Sequence, residues 1–151
     1  MTDPRDPHVP LDSIVFGYGP MLPLLAAGAG AWVLPGFWPL FALQAAILWG
    51  GVILIFLAGV RRGFGFGYPG ASTAVEIATM LVYFLLGLAA IVVPRPPLAL
   101  GLLVLGYLLV ALLDRRAAVA GNAPAHFARL RPTQMLLGAL GLAAALARAL
   151  S

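Results

Sequence analysis

The chain has 151 residues, 62% apolar and 9% charged, with a mean hydropathy of +1.02 and a net charge of +4. Nine basic and five acidic side chains cannot cover that much apolar surface in water, so a soluble globular domain is excluded and a membrane-embedded one is expected. All nine basic residues are Arg and they flank apolar segments, which reads as orientation and headgroup signals and not as a nucleic-acid surface; the absence of cysteine excludes disulfides, thiolate metal sites and cysteine catalysis.

A bilayer's hydrocarbon core is ~30 Å thick and takes about 20 apolar helical residues to cross. The sequence predicts an all-α, polytopic membrane bundle of five transmembrane helices: residues 1–16 as a cytoplasmic tail and residues 17–151 as one domain. The stretch Met1–Asp12 is polar, acidic and proline-rich and lacks the basic segment and apolar core of a secretory signal, so insertion through the chain's own first helix is expected.

The first span is expected over Gly17–Leu34, small-residue rich and ended by Pro35-Gly36. The second opens with Phe37, Trp38 and Pro39, the proline in a first turn where its missing N–H costs nothing, and stops at Arg61-Arg62. A glycine-aromatic linker, Gly63–Gly70, follows. The third span has Ser72 or Thr73 as its N-cap and Glu76 one turn in, and ends before Pro94-Arg95-Pro96-Pro97. The fourth runs over Pro97–Leu113 and ends at Asp114-Arg115-Arg116. After a loop over Ala117–Arg131, the fifth opens with Pro132-Thr133 and carries Arg148 near enough to its end to snorkel.

With five spans, Arg5, Arg61, Arg62, Arg115, Arg116, Arg129 and Arg131 share one side, and only Arg95 and Arg148 lie on the other. That asymmetry predicts a cytoplasmic N-terminus and a periplasmic C-terminus in a bacterial inner membrane, with Arg115, Arg116, Arg129 and Arg131 meeting lipid headgroups. Trp32 and Trp38 suit the aromatic belt of the outer side, Tyr68 and Phe127 that of the inner side.

Glu76 is the one acid inside an expected span, which makes it a candidate site, because an unpaired intramembrane carboxylate is expensive. It lies near a helix N-terminus and level with Arg61 and Arg62. A structural ion pair with Arg61 or Arg62 is therefore expected ahead of a proton or ion relay, for which few further polar groups exist. Gln44, Gln134, Thr73 and Thr79 are read as interhelical hydrogen-bonding groups. Gly63, Gly65 and Gly67 follow no strand and precede no Lys-Ser/Thr, so they are no nucleotide loop. His8 and His126 have no supporting ligands for a metal or haem. No catalytic residue, cofactor or metal site is expected. The faces bearing Gly28, Gly50 and Gly138 are expected to permit close helix packing, within the bundle or against a partner.

The segment IFLAGVRRGFGFG (Ile55–Gly67), the ALLDRR end of the fourth span (Ala111–Arg116) and FARLRPTQ (Phe127–Gln134) together resemble the domain of unknown function 3429 family, small membrane proteins that include mitochondrial transmembrane protein 69. The likeness runs in order over most of the chain, with Arg62 standing where that family commonly shows Trp. It implies a five-helix membrane protein of bacteria and mitochondria, with no assigned activity or catalytic residues to transfer. The function expected is a non-catalytic accessory or assembly subunit of a larger inner-membrane, energy-transducing complex. Its partners would be lipids and other integral membrane subunits, and a homo-oligomer is compatible with it. The alternative is a small oligomeric transporter or channel using Glu76.

Overall fold

The computed structural model describes residues 11–67 and 73–151. Its elements are α1 (Leu11–Tyr18), a 3-10 turn (Gly19–Met21), α2 (Leu22–Val33), α3 (Trp38–Gly67), α4 (Thr73–Val92), α5 (Pro96–Val119) and α6 (Phe127–Leu150). The first two helices and the turn between them form one span, so five stretches are long and apolar enough to cross a membrane. Large apolar side chains point outward on every span, among them Phe16, Leu40, Phe56, Leu85, Leu105 and Leu140. A surface of that kind is stable against hydrocarbon and not against water. The chain is an all-α, multi-pass membrane protein.

Four expected boundaries move outward. The first span begins at Leu11, inside the stretch expected as a tail. It is interrupted where Pro20 and Pro23 remove two backbone donors, and the 3-10 bond from Leu22 N–H to the Gly19 carbonyl takes over. The indole of Trp49 donates to the Pro20 carbonyl at 2.8 Å, tying this break to α3. The second helix does not stop at Arg61-Arg62 but continues to Gly67 through much of the expected linker; the rest of that linker and Ser72 lie outside the described residues. The fourth runs on past Asp114 to Val119, and the fifth starts at Phe127, with Pro132 inside it. Buried aromatic and charged contacts at this end supply the reason: Phe64, Ala117, Ala118 and Ala123 form a small second core that holds the added turns together.

Among the described residues, two turns need a left-handed residue and both have glycine: Gly36 (φ +63°) between α2 and α3, and Gly121 (φ +78°) after α5. At the latter, Asn122 N–H donates to the Ala117 carbonyl at 2.8 Å and Gly121 N–H to Ala118 at 3.2 Å. This is the paired closure of a Schellman motif.

The spans close into a ring, α2 against α3, α3 against α4, α4 against α5, α5 against α6, and α6 back against α2, with α3 also reaching α5 and α6. Small residues set the tightest approaches. Gly28 lies on the Gly141 backbone, and Gly51 on Gly87. Gly138 lies under the Tyr107 ring, whose hydroxyl donates to the Gly50 carbonyl at 3.3 Å; a side chain at Gly50 would meet Leu103 and Leu142. Lipid offers no hydrophobic drive for helices to associate, so such close packing with a few hydrogen bonds is what holds the bundle. Gly28, Gly50 and Gly138 are all buried, so their faces serve the bundle and are not open to a partner.

At the end away from the Arg-rich loops, the Ala31 carbonyl lacks its usual helical donor because residue 35 is proline. Arg148 Nε donates to it at 3.1 Å, and the guanidinium lies 5.9 Å from the Trp32 ring centroid. The Trp32 indole in turn donates to the Ala144 carbonyl at 2.9 Å. Arg148 thus fastens α6 to α2.

Candidate functional site

The polar groups that the helices turn inward gather at the Arg-rich end. Each lies on its helix's buried stripe: Arg61 continues Leu54, Leu57 and Ala58 on α3; Tyr83 sits between Thr79 and Ala90 on α4; Asp114 continues Leu103, Tyr107 and Val110 on α5; Arg131 precedes Gln134, Met135 and Gly138 on α6. Four different helices therefore deliver four side chains to one place.

Asp114, 1% exposed, is the centre. Its Oδ1 accepts from Arg61 Nη1 at 3.5 Å and from the Tyr83 hydroxyl at 3.2 Å. Its Oδ2 lies 3.4 Å from Arg131 Nε, an ion-pair contact outside hydrogen-bond geometry. Arg131 also donates through Nη1 to Gln134 Oε1 at 3.1 Å. Two aromatic rings close the cluster: the Arg61 guanidinium lies 5.4 Å from the Phe64 centroid and that of Arg131 4.3 Å from Phe127, and the rings pack on each other at 5.7 Å. In this setting the low dielectric strengthens each contact and makes the loss of any one costly.

Glu76 is not part of this cluster. It is 2% exposed on α4, and among the described residues neither carboxylate oxygen has a hydrogen-bond partner. The expected ion pair with Arg61 or Arg62 is not formed. Arg61 faces α5, where Asp114 offers a carboxylate already held by a phenol and a second guanidinium; Arg62, half-buried, lies 4.7 Å over the Phe66 ring. Nor does Thr79 reach Glu76, since its hydroxyl donates to the Val75 carbonyl of its own helix at 2.7 Å.

The other expected polar contacts also differ. Gln134 bonds within α6, and Gln44 faces outward on α3. Arg115, Arg116 and Arg129 are exposed, as headgroup contacts require, but Arg131 is 6% exposed and turned inward to Asp114. His126 packs edge-on to Phe127 at 4.8 Å, and burial together with the nearby Arg131 lowers its pKa against a smaller opposing effect from Asp12. His8, Arg5 and Tyr68 lie outside the described residues.

The residue that sequence reasoning missed is Asp114. Placed in a DRR triplet, it looked like a loop residue at a helix end. Its phase gave the missing signal, one turn beyond Val110 and two beyond Tyr107 on a stripe that is otherwise apolar. With every Asp114 contact made to a neighbour that is itself anchored, the cluster's chemistry is that of a cross-link.

In comparisons with known proteins, no family model, no curated protein and no solved structure matches the chain.

Proposed function

We propose that this protein is a non-catalytic accessory or assembly subunit that docks, as a preassembled five-helix unit, onto other subunits of a larger energy-transducing complex. The observation that carries this reading is the apolar packing between the spans. Beyond the Asp114 cluster the buried side chains Leu24, Leu54, Leu100, Leu103, Val110 and Leu142 are apolar and wholly packed, and Tyr107 satisfies its hydroxyl on Gly50. A chain with polar groups gathered at one end offers no continuous path for an ion, so its broad apolar outer faces are what it presents to other molecules. The short loops Leu34–Phe37 and Val93–Arg95 leave little room for soluble machinery.

The Arg distribution supports placing the Asp114 end on the cytoplasmic side of a bacterial inner membrane and Ser151 on the periplasmic side. The resemblance to the 3429 family agrees with that membrane. Purification of a tagged chain in mild detergent, followed by native gel and mass spectrometry, tests the reading: a stoichiometric membrane partner is expected, and a chain that is always free of one refutes it.

A second reading has one specific observation in its favour. Glu76 is buried with both oxygens unpartnered among the described residues, an arrangement that membrane proteins usually retain at sites of ion or proton binding. In that reading copies of the chain assemble into a small transporter with Glu76 at its site. Flux across proteoliposomes that vanishes in Glu76→Gln would select it over the docking subunit.

A further inference from the structure

Between α1 and α3, floored by α6, lies a cavity of about 230 Å³. It exists because the proline-broken first span carries α1 alongside α6 and leaves a gap toward α3. Phe16 and Phe56, both largely exposed, stand at its mouth on the bundle's outer surface; Met21 and Ile53 line its apolar depth. At the other end are Arg131 and Gln134, 6% and 3% exposed. The volume exceeds the ~150 Å³ apolar cavity that accepts a benzene ring. Its mouth faces the region where lipid chains lie, and Arg131 sits in the second turn of α6, near the membrane surface.

The charge of its polar end is unbalanced. Two guanidinium groups, Arg61 and Arg131, share the single carboxylate of Asp114, and no other salt bridge reaches either Arg among the described residues. Buried Arg131 Nε faces Asp114 Oδ2 at 3.4 Å outside hydrogen-bond geometry and has no hydrogen-bond acceptor among the described residues. A buried cation that is only half neutralised beside an apolar slot favours an anionic group arriving with an alkyl chain attached. We propose that this cavity binds one alkyl chain ending in an anionic oxygen head, carboxylate or phosphate, with the head at Arg131 and the chain lying along Met21 and Ile53 between α1 and α3. The chain enters sideways from the bilayer past Phe16 and Phe56. The proposal rests on the cavity's own lining and charge, so it stands whether or not the docking reading does.

The test is native mass spectrometry of the full-length chain in non-ionic detergent, titrated separately with oleate, oleyl alcohol, phosphatidylglycerol and phosphatidylcholine. Oleate or phosphatidylglycerol is expected to give a saturable adduct of one per chain. The uncharged alcohol and zwitterionic lipid should bind about tenfold or more weakly, the difference a charge-assisted hydrogen bond makes. Binding of oleate alone identifies a free carboxylate as the ligand, and binding of phosphatidylglycerol identifies a membrane phospholipid; either supports the proposal. Ile53→Trp, which fills the apolar depth without touching the Asp114 cluster, should abolish the adduct at unchanged melting temperature. The proposal is overturned if neither anionic probe saturates, if charged and uncharged probes bind alike, or if folded Ile53→Trp retains the adduct. The comparison of probes on the wild type decides the matter even if that variant fails to fold.

Discussion

Arg61 and Asp114, 53 residues apart in sequence, meet at 3.5 Å inside the bundle with their side chains 6% and 1% exposed. Through Asp114 the contact extends to Tyr83 and Arg131, so one carboxylate ties together α3, α4, α5 and α6. Replacing Asp114 with Asn leaves two buried guanidinium groups without their counter-ion. The expected cost is about 3–5 kcal/mol, read as a lower melting temperature in detergent. Tyr83→Phe removes one hydrogen bond to the same carboxylate and should cost less, about 1.5–3 kcal/mol.

Glu76 behaves oppositely. With no partner among the described residues to lose, Glu76→Gln should leave stability unchanged or raise it, since it replaces a costly buried carboxylate with a neutral amide. A double-mutant cycle between Glu76 and Arg62 should show coupling below ~0.5 kcal/mol, while the Arg61–Asp114 cycle should exceed that clearly. Strong coupling at Glu76 would contradict the geometry found.

The extent to which these features were legible in the sequence follows from what periodicity records. Long apolar runs with Pro and Gly punctuation fix the number of spans and their order, because the bilayer demands both. They do not fix where a helix stops once its side chains have polar partners. Arg61, Asp114 and Arg131 each look like the end of a span, and each instead lies on a buried stripe that runs past it, to Phe64, Ala117 and Leu130. Glu76 drew attention because an acid inside an apolar run is conspicuous, while Asp114, followed by two Arg, was hidden by neighbours that point the other way. Which carboxylate pairs with which Arg depends on helix rotation, and that is set by contacts such as Gly28 on Gly141 and Gly51 on Gly87 that no single segment encodes.

Those contacts give a third prediction. A methyl group at Gly28 would run into the Gly141 backbone, which cannot yield without separating α2 from α6, so Gly28→Ala should destabilise. Gly59 and Gly63 on α3 have open space around them. There Gly→Ala should be neutral or stabilise by up to ~1 kcal/mol through helix propensity alone. Melting temperatures of the three variants in one detergent check the contrast.

His126 gives a pH dependence. Its folded pKa lies below the ordinary 6.5, so the unfolded chain binds the proton more readily. The resulting contribution to stability is complete above about 6.5 and falls as pH drops from there toward the lowered folded value. His126→Gln should flatten that part of the stability–pH curve, and thermal melts across the range read it directly.

Docking through the outer faces is the central claim, and site-specific photo-crosslinking in intact membranes tests it most directly. A photoreactive residue is placed in turn at Leu40, Leu85, Leu105 and Leu140, four exposed positions on four spans. The account predicts that at least one of these positions crosslinks to a discrete membrane protein of another kind, while positions on other faces label lipid only. Crosslinks exclusively to lipid or to second copies of the chain, at every position, would contradict it.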